Sequence, residues 1–372
     1  MRVRTTRRGR VLIGALCAVA AGAFALGAAL GDAPAPQPSA ASRLSLGQLA
    51  GERVIVGFAA AKPSAALIRA VREGRVAGVV LFAANLPSRA AARRLIAGLQ
   101  AIPRPAGLRD PLLVMVDQEG GLVKRIGGAP SASARQMGAR GAAFSRRQGR
   151  LTAANLRDLG INVDLAPVLD VARPGGVIAE TDRGFGSTAA RVAETGVPFA
   201  EGLSQGGAAA TAKHFPGFGA AAENTDFAVQ RIDLSADRLR RVDEAPFRAF
   251  SEAGGEMVML STAIYPAFSP RPAAFAAPVA TGELRTRLGF EGVSITDALE
   301  SVAVREFGGS AKAGLAAAGA GVDLLLYTDL RSGIGAQKLL LRRLRSGTLS
   351  RAAFEASAGR VLRLRHRFAG VG

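Results

Sequence analysis

The chain has 372 residues, 49% of them apolar and 21% charged, with a formal net charge of +19. That is enough apolar material for one large core and excludes wholesale disorder, while an aromatic content of 5% with no tryptophan leaves few platforms for stacking bases, so the charge is not read as a nucleic-acid surface. The single cysteine, Cys17, excludes an internal disulfide and a thiolate metal cluster.

The N-terminus opens with the basic stretch "MRVRTTRRGR" and continues from Val11 to Gly31 without a charge. A positive flank before an apolar run is the pattern of an export signal. At 21 residues the run is also close to the roughly 20 that span a bilayer as a helix. Residues 1–31 are therefore expected to be a signal peptide or an N-terminal membrane anchor through residues 11–31. In either case the remainder is expected outside the cytoplasm, because the Arg-rich flank stays inside. Residues 32–42, with the sequence "DAPAPQPSAAS", read as a Pro/Ala/Ser linker, and residues 43–372 as one domain.

From Arg43 onward, short β-branched runs recur between turn residues: "VIVGF" at Val54, "GVVLF" at Gly78, "LLVMV" at Leu112, "NVDLAPV" at Asn162, "ATAKHF" at Ala210, "MVMLS" at Met257, "VSITD" at Val293 and "DLLLY" at Asp323. Stretches with helical spacing, such as "SRAAARRLIAGLQ", separate them. Strands alternating with helices pair in parallel through right-handed crossovers, and eight such units predict an α/β fold of the closed (β/α)8 TIM-barrel type. An open doubly wound sheet competes, but no Gly-rich dinucleotide fingerprint follows the first strand. The Arg-rich C-terminus, Arg342, Arg343, Arg345, Arg351, Arg360, Arg363, Arg365 and Arg367, reads as a solvated helical face with weak attraction to anionic lipid or wall polymer.

Barrels keep their chemistry at the C-terminal ends of the strands. Polar residues at those ends are Asp117 to Glu119, Asp170, Arg183, Lys213, His214, Ser261, Thr262 and Asp297. Asp297 ends an apolar strand with a carboxylate at the barrel mouth and is a candidate for catalysis, against the plainer role of helix N-cap. Asp117 is suited to accept hydrogen bonds from sugar hydroxyls or to pair with Arg125 or Arg183. Lys213 and His214 are adjacent on a strand, where alternation sends neighbours to opposite faces. A barrel-end lysine can also form a Schiff base if burial lowers its pKa. His214 and His366 are the only histidines, so no metal site and no cofactor are expected.

Taken in order, "GVVLFAANL", "MVDQEGGLVKRI", "LGINVDLAPVLDV", "DRGFGS", "KHFPGFG", "VMLSTAIYP" and "LGFEGVSITDAL" resemble the N-terminal barrel domain of glycoside hydrolase family 3. Within it they are similar to the single-domain branch of bacterial β-N-acetylglucosaminidases (β-N-acetylhexosaminidases). The resemblance runs from Ser45 to about Arg363. It implies a retaining exo-glycosidase that releases terminal β-linked N-acetylhexosamine from peptidoglycan- or chitin-type oligosaccharides, with Asp297 as nucleophile and a covalent glycosyl-aspartate. It further implies that Asp117, Arg125, Arg183, Lys213 and His214 hold the sugar. The partner expected is a glycan substrate, and the chain is expected to act as a monomer.

That branch carries its general acid/base as a histidine two residues after an aspartate on the strand-five loop. Here the slot reads Asn224, Thr225, Asp226. Three readings stand: Asp226 is the acid/base, its pKa raised by an apolar pocket or by Asp297; Glu223 serves instead; or the acid is lost and the barrel binds carbohydrate without cleaving it. A β-glucosidase of the same family is a further alternative for the substrate.

Overall fold

The computed structural model describes residues 39–370. The expected export segment, and all but the last residues of the expected linker, lie outside the described residues. No helix among the described residues is long and apolar enough to cross a membrane.

All eight expected strands form: β1 (Val54–Val56), β2 (Gly78–Val80), β3 (Leu113–Val116), β4 (Val163–Asp164), β5 (Ala209–Phe215), β6 (Met257–Leu260), β7 (Val293–Thr296) and β8 (Leu325–Tyr327). They lie in the order β8-β1-β2-β3-β4-β5-β6-β7, every pair parallel. An isolated parallel bridge between Ile295 and Leu324, with the Thr296 N–H donating to the Leu324 carbonyl at 3.0 Å, joins β7 to β8 and closes the ring. The crossovers carry α1 (Ala65–Arg72), α2 (Arg89–Gln100), α3 (Ala142–Arg157), α4 (Ala189–Gln205), α5 (Ala245–Glu252) and α6 (Ser310–Gly319). After β8 come α7 (Leu330–Arg345) and α8 (Arg351–His366). Ser64, Ser88, Thr188, Asp329 and Ser350 fix where α1, α2, α4, α7 and α8 begin, each accepting a backbone N–H from the first turn.

Period-2 alternation sorts the strand residues into two cores. Ile55, Val80, Leu113, Met115, Val163, Leu165, Met257, Met259, Val293, Ile295, Leu324 and Leu326 fill the barrel, whereas Val54, Val56, Val114, Val116, Val258 and Leu260 pack against the helices. The same alternation, carried past the strand ends, builds the floor and walls of a cavity. Phe82 follows Val80, Asp117 follows Met115, Ser261 follows Met259, Asp297 follows Ile295 and Thr328 follows Leu326, and all five face that cavity.

The other end of the barrel is sealed by α8, whose Val361 and Leu364, with Phe368 beyond, join the interior cluster. Two arginines expected on a solvated face turn inward instead. Arg365 is 1% exposed, pairs with Glu52 and donates to the carbonyls of Pro111, Leu108 and Asp110. Arg360 pairs with the fully buried Asp323 at 2.7 Å, which Arg285 also meets. A helix laid across a barrel end must bury one face, and the guanidinium forks on that face satisfy carbonyls and carboxylates left at the strand starts.

Candidate active site

The ends of β2 to β8 and the loops that follow them contribute side chains to a single cavity of about 380 Å³. Its polar lining includes Asp117, Glu119, Arg125, Arg183, Lys213, His214, Asn224, Asp226, Asp297 and Glu300. All seven residues singled out in the sequence are thus brought together. Glu223, the competing acid, is not among the lining residues.

Lys213 lies at the centre of the holding network. Its Nζ is 2.7 Å from Asp117 Oδ1 and 2.8 Å from Glu119 Oε1. Burial disfavours the ammonium, but the charges of Asp117 and Glu119 outweigh it and push the Lys213 pKa above the ordinary lysine value. That favours the ammonium form and weighs against the Schiff-base chemistry considered from sequence, because a nucleophilic lysine must be neutral. Arg183 grips Glu119 with two hydrogen bonds of 2.8 Å, and Arg125 stands 3.8 Å from Asp117. Burial tends to raise the Glu119 carboxyl, yet Arg183 and Lys213 hold it well below the usual carboxylate range.

His214 enters the same cavity beside Lys213, against strict alternation. The β5 register against β6 slips between Lys213 and Phe215, leaving His214 as the extra residue of an irregularity, and the Lys213–His214 peptide is cis. A bulge of this kind re-aims one side chain. The buried Asp170 fixes the ring: its Oδ2 is 2.8 Å from His214 Nδ1, and its Oδ1 accepts the backbone N–H groups of His214 at 3.1 Å and Phe218 at 2.7 Å. With Nδ1–H donating to the carboxylate, Nε2 is the nitrogen left for a ligand. The loop that follows needs its glycines. Gly217 has φ +127°, and a Cβ on Gly219 would run into the Val171 carbonyl oxygen.

Asp297 donates its backbone N–H to Leu260 at 3.0 Å and accepts the Ala298 N–H on Oδ1 at 2.7 Å. Asp226 faces the same cavity from the β5 loop, its Oδ2 accepting from the Asn224 amide at 3.3 Å. Loss of water raises the Asp226 carboxyl above its ordinary value, and the charge of Asp297 raises it further. The loop is tied across to the segment after Asp297, where Ala303 N–H donates to Thr225 O at 3.2 Å and Val302 N–H to Asp226 O at 3.4 Å. The arrangement offers two carboxyls facing one cavity and a charged network able to hold several hydroxyls.

Glu119 and Asp170 stand in the strand-end shortlist without an assigned part. Each takes its meaning from a partner 44 or 64 residues away, Asp170 from His214 and Glu119 from Arg183, a pairing that only the closed barrel reveals. The signal present in sequence was their parity: Glu119 shares a face with Asp117.

The sequence profile of the glycosyl hydrolase family 3 N terminal domain matches residues 43–364. An uncharacterized secreted glycosyl hydrolase of Arthroderma benhamiae is 38% identical over 354 residues, covering 92% of this chain and 99% of that protein. A beta-hexosaminidase of Xylella fastidiosa is 35% identical over 289 residues, 73% of this chain and 82% of that one. Among solved structures, a glycoside hydrolase family 3 beta-N-acetylglucosaminidase from Paenibacillus superposes with a TM-score of 0.84 at 34% identity, covering 88% of this chain. The chain spans 64% of the length of that Paenibacillus protein. A beta-N-acetylhexosaminidase from Beutenbergia cavernae matches with a TM-score of 0.76 at 30% identity, over 87% of this chain and 99% of its own.

Proposed function

The chain belongs to glycosyl hydrolase family 3, and on that premise we propose that it is a retaining exo-glycosidase that removes terminal β-linked N-acetylhexosamine from cell-wall or chitin-type oligosaccharides. The observation that carries this reading is the pairing of Asp297 with Asp226 in one cavity beside a charged sugar-holding network. One relative is named a beta-hexosaminidase and the two solved neighbours a beta-N-acetylglucosaminidase and a beta-N-acetylhexosaminidase, which supports the substrate class.

In the first half-reaction the Asp297 carboxylate attacks C1 as the glycosidic bond breaks, and Asp226 gives its proton to the departing oxygen. A glycosyl ester on Asp297 results, and the leaving alcohol is neutral. In the second, Asp226, now a carboxylate, takes a proton from water as the water oxygen attacks C1, and Asp297 departs with net retention. The raised Asp226 pKa suits the first half, since a group that acts as an acid must still hold its proton near neutral pH. Asp117, Arg125, Arg183, Lys213 and His214 hold the sugar, with Glu119 and Asp170 fixing the cation and the imidazole. The secreted relative and the N-terminal sequence support action outside the cytoplasm.

The test varies the leaving group. An aryl β-N-acetylglucosaminide with a very acidic phenol needs no proton on its departing oxygen, whereas a disaccharide does. Asp226→Ala should cut kcat on the disaccharide by about 10² to 10⁴ while glycosylation by the aryl substrate survives. Equal losses on both substrates would remove Asp226 from the acid role, and no turnover of either by the wild-type protein would favour a barrel that only binds carbohydrate.

A further inference from the structure

Large apolar side chains standing open to solvent are few among the described residues, and the two most exposed, Leu122 at 77% and Phe227 at 72%, each adjoin in the chain a residue that lines the cavity. Leu122 caps the hairpin formed by Gln118–Gly120 and Val123–Lys124, whose Val123 lines the cavity. Phe227 directly follows Asp226, which also lines it. A phenyl ring held out in water gains nothing for folding, and the packed interior does not use it. The backbone that carries it is nonetheless held. The Phe227 N–H closes a turn onto Asn224 O at 3.0 Å, and the loop is tied on one side through Thr225 and Asp226 to residues 302 and 303. On the other side it is tied through Ile232, whose N–H donates to Ile264 O at 2.9 Å.

We propose that Phe227, together with Leu122 of the hairpin, forms the subsite for the leaving-group sugar and sets the preference for a pyranose ring there. The inference rests on the proposed function. If Asp226 delivers a proton to the glycosidic oxygen, whatever is attached to that oxygen must emerge past Asp226. The inner cavity is lined by Lys213, Asp117, Glu119, Arg183 and His214 and takes the sugar that is cleaved, so the departing ring is directed to the open side and over the next residue in the chain. A β-linked pyranose presents axial C–H bonds on both faces, and these pack on the face of an aromatic ring. The occupant is therefore the next sugar of the substrate, and the same surface receives an acceptor sugar that competes with water for the glycosyl-enzyme.

The experiment compares a β-linked N-acetylglucosamine disaccharide with β-N-acetylglucosaminyl fluoride, whose leaving group carries no ring. Phe227→Ala should lower the ratio of kcat/KM for the disaccharide over the fluoride by about tenfold, Phe227→Tyr should restore most of it, and Leu122→Ser should lower it by a smaller factor. The share of glycosyl-enzyme captured by an added acceptor sugar should fall in parallel. An unchanged ratio, or a Phe227→Tyr variant as impaired as Phe227→Ala, would overturn the subsite and leave the glycosidase reading intact. A wild-type protein that turns over neither substrate would remove that reading and this inference with it.

Discussion

Asp226 is a carboxylate of the cavity whose charge is disfavoured, by loss of water first and by the charge of Asp297 second. Glu119 is clamped by a guanidinium and an ammonium, so it stays ionised, whereas Asp226 has only the Asn224 amide at 3.3 Å and faces a second carboxylate. Its upward shift fixes the sign of a pH effect: activity on substrates that need a proton falls as pH rises through the Asp226 pKa, and Asp226→Asn should abolish that alkaline limb along with most of the rate. A pH–rate profile of the disaccharide reaction checks this, and a limb unchanged in the variant would assign it elsewhere. Asp164 on β4 offers a stability counterpart. Burial pushes its carboxyl up to about 8, with one oxygen held by the Gln118 N–H at 3.0 Å and the other without a hydrogen-bond partner. An unfolded aspartate titrates near ~4, so the native state holds a proton that the unfolded state has lost between these values. That contribution is complete below pH ~4 and disappears as pH rises through about 8. Asp164→Asn should therefore lose stability more slowly than the wild type between pH 5 and pH 8.5 in urea titrations, and parallel slopes would contradict the assignment. The positions of Asp117, Lys213 and Asp297 were legible in the sequence because strand parity puts each on the inward face at the cavity end of its strand. The functional meaning of Asp170 and Asp164 was not, since each depends on a hydrogen bond to a distant strand.

At the scale of elements, the eight apolar runs were sufficient to read the barrel, because strands buried on both faces need continuous β-branched sequence. Their lengths were less legible. The seven-residue run at Asn162 gives only Val163–Asp164 as strand, with Pro167 unable to donate a backbone hydrogen bond to the ladder, although Val168 still bridges Lys213. The slip in β5 that carries His214 into the cavity has no mark in the composition of "TAKHF". The short hairpin bearing Leu122 was likewise hidden, since its strands are two and three residues long. The basic C-terminus misled for a definite reason: spacing alone does not say which face of α8 meets the barrel end. Arg365→Met tests that placement. It removes the partner of Glu52, which is fully buried, and should destabilise the protein by about 3–5 kcal/mol in urea unfolding. A loss below about 1 kcal/mol would mean that α8 does not depend on this pair.

For the whole molecule, the formal charge of +19 overstates the freedom of its arginines. Several serve as internal struts, among them Arg53, Arg285, Arg360 and Arg365, at the barrel end opposite the cavity, while the cavity balances Asp117 and Glu119 against Arg125, Arg183 and Lys213. The division of labour is that of a barrel enzyme: one end secures the fold and the other presents chemistry. The proposed chemistry requires that Asp297 become covalently glycosylated. It is tested most directly by mixing the protein with an N-acetylglucosaminyl donor fluorinated at C5, which slows breakdown of a glycosyl ester, and recording the intact mass followed by peptide mapping. One added sugar on the peptide that contains Asp297, absent in Asp297→Asn, is the predicted result. Turnover with no adduct, or an adduct on a different carboxylate, would contradict it.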